Sequence, residues 1–391
     1  MDLEVDHLVV GGGIAGLSCA QELRERGAQG RVLLVTRELD APYDRTAVSK
    51  GCLAGEVAAD ELALRPAGWY AEQGIELATR APVLRLDPVE RTATLADRRT
   101  VRYGTALLAT GAMVRRLRCP GADLAGVHHL RAPANAAAVR RELEDGVRDV
   151  VLVGGSYVGC EVAATLAAQG LRPHVVLLES APFETHLGAG LGTRLARLLE
   201  ARGITFHPRA EVVALEGDER VAGVRLADGR LLAAQLVVAG IGATPDVTLA
   251  RAAGLALGET GGIRCDAALR VEGADGLFAA GDACEWDSVL HGGRARIEHW
   301  EVAAAQGRAA ARGMLGDPQP FREQPTFWSD LGDDLVVRFA GTSTDGRASV
   351  VEERADGAFA ACFVRDGQVV GTLTAGIDAA PDVRDAAVRV A

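Results

Sequence analysis

Gly11, Gly13 and Gly16 stand at the G-x-G-x-x-G spacing in "DHLVVGGGIAGLSCAQELRERG", residues 6–27. An apolar run precedes them and an apolar-faced helical run opening on Ile14 and Ala15 follows, so the loop falls between a strand and a helix. In that setting the first glycine makes a tight turn and the second lets the backbone approach a pyrophosphate. The third brings helix and strand together, and the phosphates rest on the helix N-terminus. Residues 150–170, "VVLVGGSYVGCEVAATLAAQG", repeat the arrangement. There Gly154 and Gly159 take the outer glycine places and Ser156 the middle one, with Gly155, Tyr157 and Val158 completing the loop. Serine is small enough to admit a phosphate, at some cost in fit.

An acidic residue follows each loop. Glu38 comes after the apolar run "RVLLVT" (31–36), and Glu179 closes "HVVLLE" (174–179). A carboxylate at a strand end accepts hydrogen bonds from ribose hydroxyls and repels a 2′-phosphate. The stretch "SAPFE" after Glu179 contains no arginine to attract that phosphate. The second site is therefore expected to prefer NADH to NADPH. Two dinucleotide sites in one chain suggest an electron relay, with a flavin held permanently and a nicotinamide that visits.

Further residues suit a bound flavin. "LFAAGDAC" (277–284) ends a strand on Gly281-Asp282, which would set a carboxylate beside a sugar-like chain. "LLATGA" (107–112) offers small residues, Thr110 and Gly111 among them, where backbone must pass close to a cofactor. Lys50 is the one lysine among 42 lysine and arginine residues. Its survival suggests a place where a compact ammonium cannot be exchanged for a planar guanidinium, such as beside a reduced, anionic flavin.

These groups must be positioned by alternating strands and helices, which predict an α/β protein with parallel sheets. The expected layout is two Rossmann-like dinucleotide-binding domains, one for FAD and one for NAD, plus a C-terminal α+β domain. The FAD domain would comprise 1–110 and 241–317, the NAD domain 111–240, and the C-terminal domain 318–391. Strand-rich stretches at 83–108 and 210–240 resemble one another, so the repeat is larger than a loop. "GDPQPFREQP" (316–325) is the expected linker, Asp366-Gly367 a hairpin turn, and the extreme C-terminus a helical stretch.

The net charge of −11 argues against a general nucleic-acid binder. The N-terminus lacks the features of a signal peptide and no apolar run reaches the length of a membrane span, so a cytoplasmic location is the default. The seven cysteines show no C-x-x-C spacing and the histidines no metal-binding pattern, so neither a redox dithiol nor a metal centre is expected.

"PYDRTAVSKG" (42–51), "FAAGDAC", "RIEHWEVAAAQGRAAARGMLG" and "FWSDLGD" together make the chain resemble a known family. It is similar to the FAD-containing, NADH-dependent ferredoxin reductases that serve cytochrome P450 and ring-hydroxylating oxygenase systems, within the glutathione-reductase-like superfamily. The resemblance covers essentially the whole chain. It implies that the first loop and Glu38 bind the ADP half of FAD, while Arg45 and Lys50 lie on the flavin side. Thr110 and Gly111 would run along FAD, and Gly281 and Asp282 would meet its ribityl chain. His299, Trp300, Glu301 and Val302 would start a helix facing the flavin's pyrimidine edge. Trp328 would lie near the isoalloxazine, on the partner's side. The second loop and Glu179 would hold NADH, with Glu161 and Gly242 near the nicotinamide.

The reaction so implied is hydride transfer from NADH to the flavin, then single-electron transfers to a [2Fe–2S] ferredoxin. Lys50, Glu161 and Trp328 would stand nearest the chemistry. The ferredoxin would dock near the flavin and the C-terminal domain, with Arg294, Arg296, Arg308 and Arg312 as a candidate basic patch. A monomer or weak homodimer is expected. Thr46 departs from a frequent proline, Val302 from a frequent asparagine, and Ser156 from the loop pattern, placing redox potential, oxygen reactivity and NADH affinity in question. Two alternatives stay open: a flavin-dependent NADH oxidase or peroxidase, for which Cys52 is the only nearby thiol, and a redox-signalling flavoprotein of the apoptosis-inducing-factor type.

Overall fold

Strand Leu3–Val10 lies at the centre of the first sheet, between the parallel strands Val32–Val35 and Thr100–Leu108. Ile75–Ala78 extends the sheet beyond Val32–Val35. The first half of Thr100–Leu108 pairs antiparallel with Thr92–Leu95, and its last three residues pair parallel with Leu277–Ala279. A second parallel sheet runs in the order Thr205–His207, His174–Val176, Val150–Val153, Leu236–Ala239, Val127–His128. Val212–Gly217, Val221–Leu226 and Leu231–Ala233 form an antiparallel meander in the same place along the chain as the strands of 83–108. The architecture is α/β, and the expected repeat is present.

The computed structural model describes residues 3–332, 334–343 and 347–377, so the helical stretch expected at the C-terminus lies outside the described residues. The chain divides into two units. One holds the chain up to Asp44, Leu62–Met113 and Thr244–Pro325; the other holds Arg45–Glu61, Val114–Ala243 and the chain from Thr326. Parallel strands covered on both faces must be apolar throughout. Val32–Val35 and Val150–Val153 accordingly bury every residue.

In the first unit the long helix Trp300–Met314 presents alanines and glycines to helix Ile14–Glu25. A Cβ on Gly307 would fall 2.1 Å from the carbonyl oxygen of Ala15, so the two backbones approach as only glycine allows. The proline-rich stretch 316–325 has neither helix nor strand, yet it is no free tether. Phe321 is buried edge-on against Trp286, and its amide donates to the carbonyl of Ala267.

In the second unit, five strands between Thr326 and Ala375 form an antiparallel sheet. Asp366 and Gly367 both have positive φ, 51° and 73°, between the paired residues Arg365 and Gln368. That is the two-residue turn whose twist matches its strands. One expected strand is shorter than its sequence suggests. His174–Val176 stops three residues before Glu179, because after Leu177 the chain turns outward and leaves Leu178 69% exposed. Glu179 therefore sits in the loop beyond the strand, not at its end.

Candidate functional site

The two glycine loops have the same internal geometry. Gly11 N–H donates to Val35 and Gly154 N–H to Val176; Ala109 N–H donates to Val10 and Gly240 N–H to Val153. Gly11 has φ +123°, and a Cβ there would lie 2.0 Å from the Ala109 carbonyl oxygen. Gly154 has φ +109°, with its Cβ position 2.3 Å from the Gly240 oxygen. The third glycines, Gly16 and Gly159, would place a Cβ within 2.0 Å of the carbonyls of Gly11 and Gly154 respectively. The outer glycines are thus demanded by the fold itself.

The middle position is different. Gly13 is extended, at φ −82° and ψ −176°, and a Cβ on it would meet nothing within 4 Å. Nothing in the protein's own packing demands glycine there. Neither Ile14–Glu25 nor Tyr157–Ala168 has a side-chain cap or an acid in its first turn. Their first N–H groups suit an anion such as a pyrophosphate. Ser156 is extended too, at φ −100° and ψ −160°, so serine fits this backbone without strain.

The rest of the first unit's candidates surround its loop. Tyr43 donates its hydroxyl to Glu38 at 2.7 Å, fixing that carboxylate two residues beyond Thr36. Thr110 donates its hydroxyl to the Asp246 carbonyl at 2.6 Å, and the Asp246 amide donates to Gly111. The Asp246 carboxylate pairs with Arg37 at 2.6 Å. Gly281 has φ +74°, and its amide donates to the side-chain oxygen of Gln306 at 2.8 Å. Gln306 is fully buried, and its amide nitrogen has no hydrogen-bond partner among the described residues. A bound polar group would relieve that condition. Arg296 donates to the carbonyl of Asp282 at 3.2 Å. His299 precedes the helix that opens at Trp300; Glu301 is exposed, and Val302 is buried in the core.

The second unit joins Lys50 to Glu161. The ammonium lies 3.0 Å from Glu161 Oε1, with the side chains 17% and 9% exposed, and it also donates to the Thr46 carbonyl. Ser49 donates its hydroxyl to Glu161 Oε2 at 2.6 Å, and Ser329 donates to Oε1 at 2.8 Å. Helix Tyr157–Ala168 and the residue that caps it hold the lysine's segment along one face. Below Glu161, Thr165 donates to the carbonyl of Ser49 and Gln169 to that of Ala54. Arg45 anchors the start of this segment by donating to the carbonyl of Arg131. Ser49 and Ser329 belong to the site by geometry although sequence reading passed over them; each adjoins a residue that it singled out, Lys50 and Trp328.

Trp328 is half-buried beside Ser329, and Trp300 is also half-buried, so neither is an ordinary core side chain. Tyr157 packs against Phe183, His186 and Phe327. Burial and the neighbouring Glu161 push its phenol up, so it stays protonated. Val158 is exposed, Gly155 is buried, and Gly242 has φ +90° with its carbonyl accepting the Arg115 amide. Glu179 is exposed, and no described side chain pairs with its carboxylate. The stretch that follows Glu179 holds no arginine, and the backbone N–H of Arg209, thirty positions downstream, donates to the Glu179 carbonyl.

The expected basic patch is largely neutralised. Arg294 pairs with Glu272 and Asp287, Arg296 with Glu298, and Arg312 with Glu22. Among the described residues, Arg308 alone of the four has no carboxylate partner, and it is exposed. All seven cysteines are free, and burial pushes the thiols of Cys52 and Cys160 up, away from reactive thiolates. Among the described residues no cluster could hold a metal ion, and no helix is long and apolar enough to cross a membrane.

Residues 5–307 match the family model described as pyridine nucleotide-disulphide oxidoreductase. The chain is 35% identical over 337 residues to apoptosis-inducing factor 3 of Mus musculus, covering 85% of this chain but 54% of that protein, so it spans about half of that relative's length. It is also 35% identical over 344 residues to the biphenyl dioxygenase system ferredoxin–NAD(+) reductase component of Paraburkholderia xenovorans, covering 88% of this chain and 82% of that one. The crystal structure of the ferredoxin reductase for the CYP199A2 system from Rhodopseudomonas palustris superposes with a TM-score of 0.90 at 31% identity. That match covers 95% of this chain and 91% of the other.

Proposed function

Because the chain belongs to the pyridine nucleotide-disulphide oxidoreductase family, and within it to the ferredoxin reductases of oxygenase systems, we propose that it is an NADH-dependent ferredoxin reductase carrying FAD. Bound FAD would supply the chemistry that links a two-electron hydride donor, NADH, to a one-electron acceptor, a [2Fe–2S] ferredoxin that supplies an oxygenase or cytochrome P450. The observation that carries this reading is the pair of equivalent glycine loops in one chain, each opening a helix with uncapped N–H groups.

In this reading the chain's own residues bind, orient and fix charge. The first loop, Glu38, Thr110, Gly111, Gly281 and Asp282 hold FAD, and Tyr43 keeps the Glu38 carboxylate in place to receive ribose hydroxyls. The second loop, Glu179 and Gly242 hold NADH. Glu161 is kept in position by Ser49, Ser329 and Lys50, leaving it no freedom to swing. No thiol takes part, which fits the protonated Cys52 and disfavours the oxidase or peroxidase alternative. The expected division into an FAD domain (1–110 and 241–317), an NAD domain (111–240) and a C-terminal domain (318–391), a cytoplasmic location, and a monomer or weak homodimer belong to the same proposal. With Arg294, Arg296 and Arg312 of the four-arginine candidate patch already paired, docking of the ferredoxin would rest more on the surface around Trp328 than on charge.

Likeness to apoptosis-inducing factor 3 favours a second reading, a redox-signalling flavoprotein. One experiment separates them. NADH-driven reduction of a [2Fe–2S] ferredoxin, measured by the ferredoxin's absorbance, is expected to proceed at many turnovers per minute. NADH-induced dimerisation without turnover on any ferredoxin would favour the signalling reading and overturn the reductase.

A further inference from the structure

We propose that Glu184 is a second determinant of nucleotide preference, acting beside Glu179 to exclude a 2′-phosphate from the second site. The inference rests on the reading that this site holds a nicotinamide dinucleotide. A 2′-phosphate is held by backbone N–H groups, a hydroxyl and an arginine near the end of the second strand. All three kinds of group are present here. Ser180 and Ala181 follow Glu179 directly, and the Arg209 cation lies near enough to Glu184 to act on its carboxyl.

Glu184 engages the amides and the hydroxyl directly. Its Oε2 accepts the Ser180 amide at 2.6 Å, the Ser180 hydroxyl at 2.6 Å and the Ala181 amide at 3.2 Å. The same three donors and the nearby Arg209 cation hold its carboxyl below the usual range, so it is ionised at neutral pH. The loop's donors are thus occupied by a built-in anion, and the arginine's charge is offset. A 2′-phosphate would have to displace a carboxylate held by three hydrogen bonds while facing Glu179 as well. An NADH ribose needs none of these donors, since its hydroxyls donate to Glu179.

The test uses the flavin-loaded protein and binding rather than turnover. Calorimetry compares 5′-AMP with adenosine 2′,5′-bisphosphate on the wild type, Glu184→Gln, Glu184→Ala and Glu179→Gln. In Glu184→Gln the preference for 5′-AMP is expected to fall about fivefold, as removal of one nearby charge in a solvated loop predicts. Glu184→Ala, which also frees the donors, is expected to narrow it further, with 5′-AMP affinity within about twofold of wild type as the sign of an intact loop. Adding Arg209→Gln to Glu184→Ala is expected to restore the preference. An unchanged preference in both Glu184 variants, with a shift in Glu179→Gln, would overturn the role of Glu184 and leave the site standing. Failure of the wild type to bind either adenosine nucleotide would remove both the site and the inference.

Discussion

Replacing Glu161 with alanine is expected to destabilise the second unit by about 3–5 kcal/mol, the usual effect of leaving one partner of a buried ion pair uncompensated. The Lys50 ammonium would remain, largely shielded from water, with only the Thr46 carbonyl to accept from it. Ser49 and Ser329 would lose their acceptor together, adding buried hydroxyls without partners. Thermal unfolding measures the loss. The double variant Lys50→Met with Glu161→Leu is expected to recover the share due to the unpaired ammonium, though not that of the two serine hydroxyls, because a buried ion pair exchanged for apolar groups of similar volume is often neutral. It would recover stability without function, since the resemblance places Glu161 at the nicotinamide. An alanine variant as stable as wild type would mean that the pair is solvated and holds nothing together.

The second large effect separates fold from ligand within three residues. Gly11→Ala is expected to yield little folded protein, because its Cβ would lie 2.0 Å from a backbone oxygen at φ +123°, a conformation that strains any side chain. Gly13→Ala meets nothing in the protein, so its stability is expected to stay within about 0.5 kcal/mol of wild type. Yet it narrows the space through which a pyrophosphate would reach the helix N-terminus. Purified Gly13→Ala is therefore expected to fold and to carry several-fold less flavin per chain, read from the ratio of visible to ultraviolet absorbance. Full flavin occupancy in this variant would show that no phosphate passes there.

How much of this could be read from the sequence follows from the range of each constraint. The glycine loops were legible because a tight turn and close helix–strand packing are local demands, visible within six residues. Asp366-Gly367 was legible for the same reason. Lys50 showed itself only by scarcity. Its partner Glu161 was reached through resemblance, and nothing in composition linked them, since the ion pair spans more than a hundred positions.

Ser49 and Ser329 were not legible. Serine is common, and what singles these two out is burial beside one carboxylate contributed by a distant helix. The nearness of the Arg209 cation to Glu184 was hidden for a like reason, since pairing of Thr205–His207 with His174–Val176 brings that chain alongside from a distant part of the sequence. The candidate basic patch shows the opposite error: arginines counted as available charge along the sequence are spent on carboxylates in space. The run "HVVLLE" looked like one strand because its apolar residues are continuous, although its last leucine faces solvent.

In the proposed relay one loop holds a cofactor that stays and the other a nucleotide that comes and goes. Anaerobic titration of the purified protein with NADH, and separately with NADPH, followed by flavin absorbance, tests it most directly. Yellow protein bleached by near-stoichiometric NADH, with NADPH far less effective, is the predicted result. Colourless protein that cannot be reconstituted with FAD, or a bound flavin that neither nucleotide reduces, would contradict it.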